Sequence, residues 1–164
     1  MVLNLARRAA LSAPRVLGRR GLAEVASDNS RLRLSLVLPH ETIFKSQDVV
    51  QVNLAAESGD LGVLANHVPS IESLKPGVLE VIEGSANESK KWFVSGGFAN
   101  VHPNNTLTIN AVEAYPLDAF SPEAIRSGLA EAQRVAGGSG TEEEKAEAQI
   151  EVQVYEALQN ALKA

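Results

Sequence analysis

The fold is decided by the stretch SGDLGVLANHVPSI, which covers residues 58–71. Gly59 and Gly62, three residues apart, permit backbone angles that other residues resist. Pro69 lacks a backbone N–H, so the segment that starts at Asn66 cannot continue as a regular helix or strand. The stretch therefore predicts a tight turn, a short apolar strand and a loop. Its residue types do not form the pattern of a catalytic site.

Hydrophobic residues alternate with other residues on both sides of this stretch. The clearest case precedes Pro39, where leucine occupies every second position: Leu32, Leu34, Leu36 and Leu38. A period of two is typical of a strand with one buried face. In the third strand, Val50, Val52 and Leu54 would face inward. Similar short runs, separated by turn residues, extend to residue 114. We therefore predict an antiparallel β-sandwich, or flattened barrel, of about eight to ten strands over residues 32–114.

The composition changes after residue 114. Residues 115–120 are expected to form a linker, and Ser121 followed by Pro122 is the pattern of a helix start. Glycine-rich residues 137–140 end this helix, and Thr141 with Glu144 forms the capping box of a second one. The apolar faces would hold Ile125, Leu129, Ala132 and Ala136 in the first helix, and Ala146, Ile150, Val154, Ala157 and Ala161 in the second. Residues 121–164 are thus predicted to form an antiparallel two-helix hairpin.

The N-terminal residues have the composition of a targeting signal. Residues 1–22 contain five arginines, and no acidic residue precedes Glu24, which is typical of a mitochondrial transit peptide. Pro14 and Gly18 would interrupt the alternative, a basic surface helix or nucleic-acid arm. Residues 23–31 would be a flexible lead-in. Removal of residues 1–22 lowers Lys plus Arg from 15 to 10 and leaves 20 acidic residues, so nucleic acid is a poor partner.

Several classes of site lack support in the sequence. Cysteine is absent, which excludes disulfides and thiolate metal sites, and the three histidines do not have the spacing of metal ligands. No cofactor is therefore expected. No apolar run approaches the roughly 20 residues that span a bilayer, so membrane association would depend on partners. A ligand-binding or hydrolytic β-sandwich with a polar pocket around His67 stays open as an alternative.

Four motifs follow one another within some forty residues and carry a family resemblance. They are the Gly-Asp-Leu-Gly turn at residues 59–62, a histidine two residues before Pro69, Lys75-Pro76-Gly77 and Ser95-Gly96-Gly97. With them, residues 32–164 resemble the small central-stalk subunit of F-type ATP synthases, called delta in mitochondria and epsilon in bacteria and chloroplasts. The resemblance implies a non-catalytic rotor subunit that binds the gamma subunit and the c-ring, on the matrix side of the mitochondrial inner membrane. It also implies that the hairpin contacts the very small mitochondrial epsilon subunit.

The resemblance also implies which residues meet these partners. The turn and loop of the quoted stretch would lie at the end of the sandwich that faces gamma and the ring. Asp60 would face the ring and His67 would face gamma. Their neighbours Leu61 and Val68 are further candidates for contact with these partners. Val49 stands next to Val50, so that strand has apolar residues on both faces, and Val49 is a further candidate for contact with gamma.

Some bacterial relatives bind ATP through an Ile/Leu-Asp-x-x-Arg-Ala pattern at the junction with the hairpin. Here Leu117-Asp118 is followed by Ala119-Phe120-Ser121-Pro122, so the Arg-Ala half is missing. A nucleotide-sensing module would have to use Asp118 and Arg126, and it stays open as a second alternative. Residues 121–164 hold eight acids and four bases, so we expect the hairpin to lack the inhibitory role of the more basic bacterial helix.

Overall fold

A computed structural model describes residues 31–84 and 89–163. The predicted transit peptide, residues 1–22, and residues 23–30 of the predicted lead-in lie outside this range. Ten strands come first: β1 Leu32–Val37, β2 Thr42–Val49, β3 Gln51–Ala56, β4 Gly59–Leu64, β5 Ser70–Leu74, β6 Gly77–Ile82, β7 Ser89–Val94, β8 Gly97–His102, β9 Thr106–Ala111 and β10 Ala114–Pro116. A 3₁₀ turn, Leu117–Ala119, leads to α1 Pro122–Ala136 and α2 Glu142–Ala161.

The strands form one sheet that curls around a single core. Its order is β10-β7-β6-β3-β5-β8-β9-β1-β2, with β4 paired to β3. Alternate residues of each strand face inward because the side-chain period of a strand is two. The largest fully buried side chains are Leu32, Leu34, Leu36, Leu79, Leu107, Ile109, Val49, Val52, Val63 and Val81. The predicted β-sandwich followed by two helices is confirmed, although one ladder differs: β1 and β9 pair in parallel, not antiparallel.

A bulge in β2 turns Val49 toward the core, although Val49 was predicted to be a surface contact. The pairing of β1 with β2 shifts register between Leu34 and Leu36, and Ser46 there adopts a φ of 50°. Its backbone N–H donates to the hydroxyl of Ser35 over 3.1 Å. The extra residue lets both Phe44 and Val49 face the core, although they are five positions apart.

Two further predictions about residue positions were wrong. Val50 lies between β2 and β3 and is only half-buried, so the inward residues of β3 are Val52, Leu54 and Ala56. Residues 115 and 116, predicted as linker, belong to β10, which pairs with β7. The chain therefore adds one more short strand to the sheet before it turns into the hairpin.

The helical hairpin covers the outward side of β6 and β7. Both helix starts follow the predicted chemistry: Ser121 accepts the backbone N–H of Ala124, and Thr141 and Glu144 form a complete capping box. Phe93 of β7 is 3% exposed because it packs in one cluster with Ile125 and Leu158. The predicted face of α2 was partly wrong, since Ile150 is 62% exposed and the most buried residues of α2 are Ala148 and Leu158.

Candidate functional site

Within residues 31–84 and 89–163, a second side of the sandwich is left uncovered by the hairpin and is formed by the outward residues of β5, β8 and β9. We call it the outer face. Ala99 in β8 and Ile109 in β9 are buried and face the core, so the residues that alternate with them in these strands must point outward. The pairings place Ile71 opposite Asn100, and Phe98 between Ser73 and Asn110. The outer face comprises Ile71, Ser73, Phe98, Asn100, His102, Thr106, Thr108, Asn110 and, directly after β9, Val112.

The composition of the outer face is that of a protein interface. None of its residues is Lys, Arg, Asp or Glu, although these make up 21% of the chain. Three large apolar side chains on it stand open to solvent: Ile71 is 72% exposed, Phe98 58% and Val112 61%. Depletion of charge around exposed aromatic and aliphatic side chains marks the centre of a protein–protein contact. The outer face is therefore suited to bind another protein.

The loop that holds His67 borders the outer face, since it leads directly into β5. Val68 in this loop is 74% exposed. The backbone N–H of His67 donates to the carbonyl of Leu64 over 3.2 Å. The Nδ1 atom of His67 lies 2.8 Å from the carbonyl oxygen of Val68, a geometry in which a proton on Nδ1 is donated to that carbonyl. The partner of this ring nitrogen is thus a backbone carbonyl, not the carboxylate that orients a catalytic histidine.

Asp60 is the second residue of β4, which directly follows the two-residue turn at 57–58, and it pairs with Ala55 of β3. Its side chain is 86% exposed, and its Oδ1 atom is 3.5 Å from the ammonium of Lys75. Gly59, directly before it, has a φ of 131°, a backbone conformation that glycine adopts without strain. Leu61, in contrast, is partly buried and packs against the main core. Asp60 thus presents its side chain to solvent, whereas the side chain of Leu61 packs against the core and is less accessible to a partner.

The structure does not bring Asp60 and His67 to the same end of the sandwich. Asp60 pairs with Ala55 near the start of β4, whereas Leu64 at the end of β4 pairs with Gln51. At about 3.3 Å per residue, the four steps from Asp60 to Leu64 span roughly 13 Å, and His67 lies beyond them. The expectation that the turn and the loop share one end was wrong, because they are joined by the full length of a strand.

Val49 was also assigned incorrectly as a surface contact. It is 0% exposed and pairs with Leu32 inside the main core. A side chain in that position cannot touch a partner unless the sheet opens. Ile71, Phe98 and Val112, which are exposed, were missed as interface candidates. The signal that could have found them is the run of outward strand positions without a single charged residue.

The residues named for nucleotide sensing are not brought together. Asp118 lines an open cavity of about 410 Å³ with residues of β7, among them Lys91 and Trp92. Arg126 lines a different cavity of about 210 Å³ between α1 and the end of α2. A third, larger groove of about 700 Å³ runs between β4, β6 and the end of α2, where Leu61, Val78 and Ala161 contribute to its walls. The walls of this last groove therefore come from both the sandwich and the hairpin.

The side chains with shifted pKa values lie away from the outer face. A hydrogen bond and the negative charge of Glu113 raise the pKa of Tyr115. In α1, the hydrogen bond and charge of Arg134 lower the pKa of Glu131, and Glu131 in turn raises the pKa of Arg134. Within residues 31–84 and 89–163, no cluster of three His, Asp or Glu side chains could hold a metal ion. Neither helix of the described chain has the length and apolarity to cross a membrane.

Two family models match consecutive parts of the chain. The β-sandwich domain of the ATP synthase delta/epsilon chain matches residues 31–116, and the C-terminal domain of the fungal epsilon subunit of F1F0-ATP synthase matches residues 120–160. The mitochondrial ATP synthase delta subunit of Agaricus bisporus is 67% identical over 144 residues, which are 88% of this chain and 86% of that protein. The corresponding subunit of Neurospora crassa is 57% identical over 157 residues, 96% of this chain and 92% of that protein.

Solved structures agree with these matches. A chain of the Euglena gracilis mitochondrial ATP synthase, from a structure of OSCP, F1 and the c-ring, superposes with a TM-score of 0.76 at 32% identity and covers 81% of this chain and 82% of its own length. A chain of the Tetrahymena thermophila enzyme has the same fold, with a TM-score of 0.53 at 19% identity over 78% of this chain and 96% of its own. The chain therefore belongs to the ATP synthase delta/epsilon family, among its mitochondrial delta subunits.

Proposed function

We propose that this chain is a rotor subunit of the central stalk of the mitochondrial ATP synthase, where its outer face binds the gamma subunit. The observation that carries this proposal is the uncharged outer face with exposed Ile71, Phe98 and Val112. In the described part of the chain the hairpin packs on β7 through Phe93, and the outer face, with its exposed apolar side chains, stays accessible to a large partner. The 32% identical chain from the structure with F1 and the c-ring supports this assembly.

The c-ring would meet a different part of the molecule. Asp60 lies at a strand end, beside Lys75, whereas the outer face runs along the strands. A surface along the strands and a surface at their ends point in different directions. The same rigid sandwich can therefore contact gamma with its side and the polar loops of the ring with its Asp60 end. In this arrangement the chain seats gamma on the ring.

The contribution of the chain to ATP synthesis is mechanical. The sheet is continuous from β10 to β2 and surrounds one core, so shear would have to break ladder hydrogen bonds and core packing together. A stiff body between ring and gamma passes torque from proton-driven rotation to the catalytic sites elsewhere in the complex. The chain itself is a non-catalytic subunit.

Three further parts of the proposal concern location and a small partner. Residues 1–22 would direct the chain into mitochondria and then be removed. The mature chain would lie on the matrix side of the inner membrane and be held there by the ring and gamma. The hairpin would contact the mitochondrial epsilon subunit, and the groove of about 700 Å³ between the sandwich and α2 is a suitable place for it.

The test compares two sets of exposed apolar side chains. The double variant Ile71→Ser with Phe98→Ser removes the centre of the outer face, and Ile150→Ser removes a side chain on α2 that is 62% exposed. Each chain is produced with the gamma subunit of the same organism, and the affinity for gamma is measured. Because these side chains are exposed in the free chain, the melting temperatures should change little.

We expect the double variant to bind gamma at least about tenfold more weakly, since burial of each large apolar side chain contributes roughly 1.5–3 kcal/mol. Ile150→Ser should bind as the unaltered chain does. Added salt should weaken the complex only slightly, because the outer face carries no charge. Equal binding of gamma by the double variant and the unaltered chain would contradict this use of the outer face.

A further inference from the structure

We propose that Asn105 is a positioning residue that holds the His67 loop in its binding conformation. The side-chain Oδ1 atom of Asn105 accepts the backbone N–H of Asn66 over 2.7 Å, across 39 positions of the chain. Asn105 belongs to the turn between β8 and β9, and Asn66 is the second residue of the loop between β4 and β5. One side chain thus joins two connections that are distant in sequence.

The turn that carries Asn105 is itself anchored. The backbone N–H of Arg33, in β1, donates to the carbonyl of Asn105 over 2.8 Å. The guanidinium of Arg33 also donates to the carbonyl of Asn104 over 3.4 Å. Because β1 is a central part of the main core, with Leu32 and Leu34 fully buried, the turn has a fixed support. Asn105 passes this support on to the loop.

The backbone conformations fit such a role. Asn66 has a φ of 64° and Asn105 a φ of 55°, both in the left-handed region that asparagine tolerates better than most residues. A short amide side chain can accept a backbone N–H while its own backbone stays in this region. At position 105, aspartate would keep both properties, whereas glycine would keep the backbone conformation and lose the acceptor.

The supported loop borders the outer face. Val68 is 74% exposed, and only Pro69 and Ser70 separate it from Ile71. A partner that covers Ile71 and Phe98 would also meet Val68 if the loop keeps this position. Resting on the proposed function, we infer that Asn105 lowers the entropy cost of gamma binding by fixing the loop beforehand. Asn105 itself need not touch gamma.

The experiment uses the full chain and three variants: Asn105→Gly, Asn105→Asp and, as the matched neighbour in the same turn, Asn104→Gly. Affinity for the gamma subunit of the same organism is measured for each. Hydrogen exchange of the Asn66 amide is followed in the free chain as a direct readout of its hydrogen bond. Melting temperatures report any general loss of fold.

For Asn105→Gly we expect faster exchange of the Asn66 amide and about two- to tenfold weaker binding of gamma, the range of one net hydrogen bond. Asn105→Asp should restore slow exchange and affinity, and Asn104→Gly should leave both unchanged. Two results would contradict the proposed role of Asn105. One is that Asn105→Gly binds gamma as well as the unaltered chain does, and the other is that Asn105→Asp binds as weakly as Asn105→Gly. If the unaltered chain does not bind gamma, the proposed function fails first, and the exchange data still decide whether Asn105 holds the loop.

Discussion

Asp60 and Lys75 form an ion pair of 3.5 Å that joins the start of β4 to the connection between β5 and β6. Their side chains are 86% and 43% exposed, so water screens the attraction and the pair adds little to the stability of the fold. The pair instead places one negative and one positive charge side by side on the surface at this end of the sandwich. A change of charge at Asp60 should therefore affect assembly more than folding.

Replacing Asp60 with lysine tests this expectation. Asp60→Lys puts a second ammonium beside Lys75 and should weaken assembly with the c-ring, whereas the stability of the isolated chain should change by less than about 1 kcal/mol. Assembly is measured as recovery of ring subunits with the tagged chain in mild detergent. Glu151→Lys, on an exposed position of α2, is the control for the same change in net charge. Unchanged recovery and coupling in Asp60→Lys would show that Asp60 is not at the ring contact.

The two valines named as partner contacts should respond in opposite ways to truncation. Val49→Ala removes two methyl groups from a fully buried position and should lower the free energy of unfolding by about 1–3 kcal/mol. Val68→Ala changes a side chain that is 74% exposed and should leave that free energy nearly unchanged while it weakens gamma binding. Denaturant unfolding and a binding assay on both variants separate the roles. A stable Val49→Ala would contradict the placement of Val49 in the core.

Steric overlap explains why the Ser95-Gly96-Gly97 motif ends in glycine. Gly97 has a φ of 141°, and a Cβ atom there would lie 2.9 Å from the Cα of Ala111 and would overlap the carbonyl of Asn110. Gly97→Ala should therefore destabilise the chain by roughly 3 kcal/mol or more, because strain and overlap add. Gly59→Ala is the matched control, since Gly59 has a φ of 131° but open space around the added Cβ. It should cost only about 1–2 kcal/mol. If both variants lose the same stability in thermal unfolding, backbone strain alone explains why position 97 is glycine.

Deletion of the hairpin should expose a hydrophobic surface without releasing an inhibitor. Removal of residues 121–164 uncovers Phe93, now 3% exposed, so the remaining sandwich should lose solubility. Phe93→Ser in the shortened chain should restore it. ATP hydrolysis by the complex should not rise strongly, because this acidic hairpin packs on its own sandwich through Ile125 and Leu158. A large rise in hydrolysis would show that the hairpin acts as a brake.

Local signals in the sequence were sufficient for much of the fold. The alternation from Leu32 to Leu38 and the caps at Ser121 and Thr141 depend on neighbours within a few residues, and each was predicted. The core position of Val49 could not be derived in the same way. It depends on the bulge at Ser46, whose N–H needs the hydroxyl of Ser35 on another strand. A period-two pattern contains no information about an inserted residue.

The rotation of α2 was missed for a related reason. Small or apolar residues occur around much of this helix, so the sequence alone allowed several inward faces. Contact with α1 selects one: a Cβ on Gly128 would lie 2.5 Å from the ring of Tyr155, so glycine leaves room for that ring. Tyr155, Ala148 and Leu158 thereby turn toward their neighbours and Ile150 turns away. Likewise, the outer face exists only once β5, β8 and β9 lie side by side.

The parallel pairing of β1 with β9 bears on the order in which the sandwich can form. β1 has one partner, β2, that follows it directly, and a second, β9, that the ribosome makes about seventy residues later. Until β9 arrives, one edge of β1 offers unpaired N–H and C=O groups to any other strand. Closing so distant a contact is slow compared with forming hairpins. A nascent or truncated chain that ends before Thr106 should therefore aggregate more readily than the full chain.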